Sequence, residues 1–316
     1  MRNIIVTGGN GFIGSVICSL LYEKKYFPII LDRSIKKNEK KSKFPSFDIN
    51  ISKIDRVFEK YKCDTVMHCA SSNSNILNLK NIKNYYKQNV FNAQKMLIKC
   101  CENNIKNFIL ISSCSVYGNS SKKLKENSEK LPLSHYGIIK LINENNLKHY
   151  SKKNNFNYGI LRPFHVTGAD ISTKNLIGPK IKSKAILNQF LFKNKTIKVK
   201  KYSNDLSSLF PKRDYVHVRD VANSIYLTMK YLEKSKNNLI LNIGSGKQGL
   251  SLPELIKLAG KKFNKKILHE IDKDTDPLNY IIADIEKAKK IIKYKPKHSD
   301  INNILKTLKI WYDEKK

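Results

Sequence analysis

The sequence predicts an α/β protein: a doubly wound, mostly parallel sheet with a smaller α/β C-terminal lobe. Short apolar runs alternate with helically spaced segments through the first half of the chain. A glycine-rich turn joins the first of those runs to the first helix. Beyond about residue 165 the alternation loosens into a loop-like stretch and shorter elements. The expected boundaries are 1–165 for the sheet domain and 166–316 for the lobe, with some later elements returning to the first sheet.

The first strand is "NIIVT" (3–7), the first helix 12–25, and the second strand "FPIILD" (27–32). Helical patterns follow at 51–61, 78–103 and 134–153, separated by the strands "CDTVMHCA" (63–70) and "KNFILIS" (106–112). "NYGILRPF" (157–164) adds a further strand. In the second half a helix is expected near 183–193 and a strand near 196–199. The helix "VRDVANSIYLTMKYL", the strand "NLILNIG" and the helix "SLPELIKLAGKKF" complete the pattern.

Composition narrows the function classes. The chain has 316 residues and is 41% hydrophobic, enough for one large core or a main domain plus a lobe. No stretch of about 18 uncharged apolar residues is present, so no membrane-spanning helix is expected. The N-terminus lacks a secretory h-region. Six cysteines (Cys18, Cys63, Cys69, Cys100, Cys101, Cys114) form no CxxC pair and no zinc spacing. They are expected as free thiols in a reducing cytoplasm, with no bound metal. The net charge is +34, a field that attracts nucleic acid, anionic lipid or phosphorylated small molecules. But the lysines are scattered, with one dense run, "KKNEKKSK" at 36–43, and they are over-used together with Asn and Ile, all with AT-rich codons. Base composition of the gene is the expected cause. No interleaving of aromatic and basic residues supports a nucleic-acid partner.

"VTGGNGFIGS" follows the first strand and opens the first helix. Gly8 or Gly9 permits the tight turn, Gly11 lets the backbone approach a pyrophosphate, and Gly14 lets helix and sheet pack closely. The helix then presents free N–H groups and its positive dipole end to the phosphates. Asp32 ends the second strand 18 residues past Gly14. A carboxylate there accepts bonds from the ribose hydroxyls and repels a 2′-phosphate, which favours NAD over NADP, although Arg33 adjoins it. A Rossmann-like nucleotide site is therefore expected.

Tyr136 and Lys140 stand four apart on a helix and so share a face. A tyrosine is a poor base at neutral pH, but an ammonium within about 4–6 Å and the positive nicotinamide stabilise the phenolate. Lowering its pKa by ~3 units takes about 4 kcal/mol. Ser113, at the end of its strand in "ISSCSVYG", lies where sheet ligands bind and could donate to the same substrate oxygen.

These segments together resemble the extended short-chain dehydrogenases/reductases, in particular the NAD-dependent sugar-nucleotide epimerases and dehydratases. The resemblance runs nearly end to end, through "TGGNGFIG", "FDIN", "VMHCAS", "YYKQNVFNAQKML", "SSCSVYG", "YGIIK", "LRPFHVTGA", "KNLIGP", "RDYVHVRDVA", "LNIGSG" and "DPLNYIIADIEKAKK". It implies Ser113, Tyr136 and Lys140 as catalytic residues. It implies cofactor contacts from Gly8, Gly11, Phe12, Ile13, Gly14, Asp32, Asp48, Ile49, Cys69, Ala70, Ser71, Asn89, Tyr136, Lys140 and Pro163. For the nucleotide-sugar substrate it implies Ser113, His165, Asn175, Leu176, Arg213 and Lys273. His165 replaces the family's usual asparagine, and Lys273 a frequent arginine, which keeps charge but loses the fork. It also implies a homodimer formed through the helices at 78–103 and 134–153.

The first step the resemblance implies is removal of hydride and proton at the sugar C4 hydroxyl. Dehydratases of the family carry an Asp-Glu pair just before "VYG"; here Cys114 and Ser115 stand there. A C4 epimerase is therefore expected, most similar to the UDP-hexose enzymes. The alternatives are an NAD(P)-dependent reductase or dehydratase, and, in another class, a non-catalytic nucleotide or RNA binder.

Overall fold

The computed structural model describes residues 1–33, 44–49, 54–72, 79–172, 176–179, 187, 197–201, 212–235, 237–264, 269–275 and 280–315. The helix expected near 183–193 lies almost wholly outside them. The described residues fall into two compact units. The first comprises 1–116, 132–162 and 222–241; the second comprises 117–131, 163–221 and 242–316.

The first unit begins with strand β1 (Arg2–Thr7), helix α1 (Phe12–Glu23) and strand β2 (Tyr26–Asp32). Then come β3 (Ser46–Asp48), α2 (Ile54–Tyr61), β4 (Thr65–His68) and α3 (Leu79–Tyr86). A π turn (Lys87–Phe91) leads into α4 (Asn92–Glu102), followed by β5 (Asn107–Ile111), α5 (His135–Asn154) and β6 (Asn157–Pro163). The later elements are β7 (His165–Thr167), β8 (Ile197–Lys201), β9 (Lys212–Arg213), β10 (Tyr215–His217), α6 (Val218–Ser235) and β11 (Leu239–Ile243). The chain ends with β12 (Leu250–Ser251), α7 (Leu252–Phe263), β13 (His269–Thr275), β14 (Tyr280–Ile281), α8 (Glu286–Ile292) and α9 (Ile301–Glu314).

Seven strands form the main sheet in the order β11-β6-β5-β4-β1-β2-β3. The pairs β3–β2, β2–β1, β1–β4, β4–β5 and β5–β6 all run parallel. Strand order therefore reverses between β1 and β4, and ligands of such sheets bind outside the strand ends at that point. The central strands are buried and mostly apolar because helices cover both faces. Ile5, Ile29, Leu31, Val66, Phe108, Leu110 and Ile160 pack with Phe58 of α2 and with Met96 and Leu97 of α4. One departure from the expected pattern matters. The helix foreseen over 78–103 is interrupted by the π turn, a form that inserts an extra residue and often marks a functional site.

In the second unit β7 pairs with β10, β8 with β13, and β12, β9 and β14 make a small three-stranded sheet. Its core holds Leu255, Ile256, Ala259 and Phe263 of α7 against Ile304, Leu305 and Leu308 of α9. No helix among the described residues is long and apolar enough to cross a membrane.

Candidate active site

The turn after β1 is tied to both neighbouring strands. The Gly8 N–H donates to the Leu31 carbonyl at 2.8 Å, and the Cys69 N–H donates to the Thr7 carbonyl at 3.0 Å. Gly8 adopts φ +69°, open to glycine at little cost, and a Cβ there would meet the Ala70 backbone at 2.7 Å. At Gly14 a Cβ would lie 2.0 Å from the Gly8 carbonyl oxygen, so the helix can sit this close only without a side chain. Helix α1 opens at Gly11 with no side-chain cap. The N–H groups of its first turn, which carries Phe12, Ile13 and Gly14, are thus left for an outside acceptor such as a diphosphate.

Asp32 and Asp48 are register partners at the ends of β2 and β3. The Asp32 carboxylate accepts from the Asn10 N–H at 3.0 Å, and the Ile49 N–H donates to the Asp32 carbonyl at 3.1 Å. Arg33, the residue that blurs NAD against NADP in the sequence, donates to the Gln88 side chain at 2.6 Å. The loop after β4 is held by Asn89 on the π turn. Its side-chain oxygen accepts from the Ser72 N–H at 2.7 Å and the Ser71 hydroxyl at 3.2 Å, and its amide donates to the Tyr85 carbonyl at 2.9 Å. Asn89 is buried, and its own carbonyl accepts from Asn143 of α5 at 2.9 Å. It shapes the loop carrying Cys69, Ala70 and Ser71. These residues form a cradle lined by backbone donors, with a carboxylate pair at one side, and they fit a dinucleotide.

Ser113 follows β5 and is 7% exposed. Its hydroxyl donates to Ser115 Oγ and accepts from the Ser115 N–H, both at 3.1 Å. Helix α5 is capped by Ser134, whose hydroxyl accepts from the Gly137 N–H at 3.1 Å, so Tyr136 sits in the first turn. Gly137 allows the helix to touch the serine turn, since a Cβ would stand 2.2 Å from the Ser115 carbonyl oxygen. Lys140 is buried; its Nζ donates to the Ile111 carbonyl at 2.8 Å and lies 5.6 Å from the centre of the Tyr136 ring. The structure thus brings Ser113, Tyr136 and Lys140 together.

The electrostatics differ from the simple expectation. Burial pushes the Tyr136 phenol well above its ordinary value, while a hydrogen bond from Ser113 pulls the other way. Burial brings Lys140 down to about 8, against the opposing pull of Cys69 and Glu144. The protein alone therefore does not make residue 136 acidic, because both groups are desolvated and the lysine ammonium donates its hydrogen bond to a backbone carbonyl.

In the second unit, His165 of β7 is the register partner of Tyr215. Its backbone N–H donates to the Asp214 carbonyl at 2.9 Å, and its Nδ1 is buried with no hydrogen-bond partner among the described residues. Burial, with Arg213, brings its imidazole down to about 3, so it is neutral. Arg213 lies on β9 and donates to the Lys212 carbonyl at 3.2 Å. Pro163 is buried at the end of β6, and Leu176 is half-buried next to the bridge between Asp170 and Ile177. Asn175 lies outside the described residues, as does the side chain of Lys273 on β13.

Sequence reasoning missed several residues behind this arrangement. Thr7 Oγ1 accepts from the Ala70 N–H at 3.3 Å and is hydrogen-bonded to His68 Nδ1 at 2.8 Å. Glu144 and Arg162 form an ion pair with no exposed surface, joined by Ser112. The spacing of Glu144, four beyond Lys140, and an arginine within the apolar run "GILRPF" were the available signals.

Comparison with known proteins identifies the family. The profile of the NAD dependent epimerase/dehydratase family matches residues 4–244, and the chain belongs to that family. The UDP-glucose 4-epimerase of Halalkalibacterium halodurans is 28% identical, over 98% of this chain and 96% of that protein. That of Rhizobium meliloti is 27% identical, over 99% and 98%. Among solved structures, the UDP-glucose 4-epimerase from Brucella ovis in complex with NAD superposes with a TM-score of 0.88 at 26% identity, covering 97% of each chain.

Proposed function

We propose that this chain is an NAD-dependent nucleotide-sugar 4-epimerase acting at C4 of a UDP-hexose. The observation that carries the reading is Ser113, Tyr136 and Lys140 assembled in the same unit as the glycine cradle, with Cys114 and Ser115 where a dehydratase needs carboxylates. The relatives named UDP-glucose 4-epimerase, matched along almost their whole length, support the UDP-hexose.

In this reading Ser113 holds the C4 oxygen by its hydroxyl, and Tyr136 takes the C4 hydroxyl proton and later returns it. NAD, when bound, supplies the acceptor that takes the C4 hydride and gives it back, and its positive ring adds the charge the Tyr136 phenol lacks in the protein alone. The sugar ring turns over between the two transfers. Gly8, Gly11 and the first turn of α1 hold the diphosphate of the cofactor, Asp32 its ribose, and Asp48 and Ile49 its adenine. His165, Asn175, Leu176, Arg213 and Lys273 contact the nucleotide sugar, the guanidinium of Arg213 meeting its diphosphate. The second unit is the substrate lobe.

The decisive experiment is mass spectrometry of ligands released from purified protein, followed by assay of C4 interconversion of UDP-glucose and UDP-galactose. Bound NAD and turnover, lost by at least 100-fold in Tyr136→Phe, are expected. Turnover in Tyr136→Phe equal to the unsubstituted enzyme would refute the assignment. Net consumption of NADPH or a 4-keto-6-deoxy product would point to the reductase or dehydratase alternative.

The enzyme works in the cytoplasm as a homodimer through α3, α4 and α5. Support comes from Phe91 and Ile98, 64% and 37% exposed on the π turn and α4. Light scattering of Phe91→Lys is expected to show a monomer; an unchanged dimer would place the interface elsewhere.

A further inference from the structure

Helix α5 carries three buried or half-buried polar groups four residues apart: Tyr136, Lys140 and Glu144. The first two belong to the site above. The third is not among the candidate substrate or cofactor residues, yet its side chain has no exposed surface. Burying a carboxylate so completely is costly unless every lone pair is used. Here three hydrogen bonds, from Arg162 and Ser112, meet it. Arg162 of β6 donates from Nε to Oε1 at 2.9 Å and from one terminal nitrogen to Oε2 at 2.6 Å, a two-point fork. Ser112, which leads from β5 to Ser113, donates its hydroxyl to Oε1 at 2.5 Å. The Ser112 N–H in turn donates to the Leu161 carbonyl of β6 at 2.8 Å.

Ser113 and the Tyr136–Lys140 pair come from different elements, so their separation depends on how α5 is docked on the ends of β5 and β6. Glu144 sits at that junction. We infer that Glu144 is a positioning residue of the active site: its buried carboxylate locks α5 to Ser112 and Arg162, fixing Ser113 against Tyr136 and Lys140, and supplies the negative charge that faces the lysine ammonium. This deepens the proposed function and rests on Tyr136 and Lys140 being the working pair.

The surroundings of the lysine support the second part. Facing Lys140 are Tyr136 and Glu144 from its own helix, His68 from β4 and Cys69 from the following loop; β5 offers the Ile111 carbonyl, and β6 offers Arg162 through Glu144. His68 is held neutral, down to about 3, by burial and by Lys140 itself, and burial holds the Cys69 thiol up at about 12. Glu144, held in a salt bridge with Arg162, is therefore the carboxylate among the groups that face the lysine.

The test reads the lysine directly and needs no turnover. In 15N-labelled holoenzyme, the Nζ resonance that titrates well below those of exposed lysines is assigned by its loss in Lys140→Met. In Glu144→Gln that titration is expected to move down by about one pH unit, leaving on the order of tenfold less ammonium at a given pH above it. The double variant Glu144→Gln/Arg162→Met leaves no unpaired buried charge, so it folds even if the single variant does not. It is expected to move in the same direction. A Lys140 titration unchanged in either folded variant would overturn the inference. Inactivity of the unsubstituted enzyme on every nucleotide sugar would instead sink only the proposed function, since the titration is independent of substrate.

Discussion

Lys140 shows how a site residue can work against the fold that holds it. Its amine is buried and reaches a carbonyl, not a carboxylate, and its pKa falls to about 8. The unfolded chain holds that proton up to about 10.4. Below pH 8 both states are protonated, so the full cost of burying the ammonium is present at neutral pH. Between about 8 and 10.4 the unfolded state binds more protons, and stability rises with pH. The shift corresponds to about 3 kcal/mol as an order of magnitude. Lys140→Met should therefore be inactive yet more stable than the unsubstituted protein in the absence of cofactor at pH 7. Urea unfolding of both proteins at pH 7 and pH 10 would check this. A less stable Lys140→Met at pH 7 would show that its contact with Ile111 outweighs desolvation. Such a trade of stability for function is common where an active site must stay charged.

At the scale of elements, the closeness of α5 to the serine turn decides the geometry. Two features set it: Ser134 caps the helix at its first turn, and Gly137 allows backbone contact with Ser115. Gly137→Ala would intrude to 2.2 Å from the Ser115 carbonyl oxygen, so the start of the helix must shift. A displacement of about 1 Å at the reacting groups costs on the order of 100-fold in rate. The expected outcome is a fall in kcat of that order with NAD still bound, because the glycine turn of α1 is untouched. Retained cofactor is read from absorbance, and unchanged kcat would mean that the turn yields instead of the helix. The π turn has a parallel role. It carries Asn89, whose side chain holds the loop after β4.

At the scale of the whole molecule, three histidines among the described residues are held neutral by loss of solvent around the ring. Burial lowers His68 in the first unit and His165 in the second to about 3, and His217 in the second to about 4. In the unfolded chain each titrates near 6.5. Stability from these groups is fully present above that pH and is lost as pH falls from 6.5 toward 3–4, where the unfolded state binds more protons. Three such groups give a slope of up to roughly 4 kcal/mol per pH unit, large against a typical total of about 5–15 kcal/mol. Denaturant midpoints should drop steeply between pH 7 and pH 5. Equal midpoints at the two values would mean that these histidines take up protons without unfolding. The drop should be shared by both units, since each holds at least one of the three.

Apolar periodicity and glycine spacing were enough to read the sheet, the cradle and the candidate trio. Strand and helix follow from the period of apolar residues, a local property, and the glycines at 8, 11 and 14 are where backbone closeness forbids a side chain. Tyr136 and Lys140 could be paired from their spacing alone because a helix fixes it. Tertiary structure decided the rest. No local pattern says that Glu144 will meet Ser112 and Arg162, residues 32 and 18 positions away, or that Asn89 will grip Ser72. It also decided the charge state of the site, since burial, which no single segment contains, moved Tyr136 up and Lys140 down. Local geometry is written in neighbouring residues; desolvation and long-range pairing exist only once the chain has closed around them.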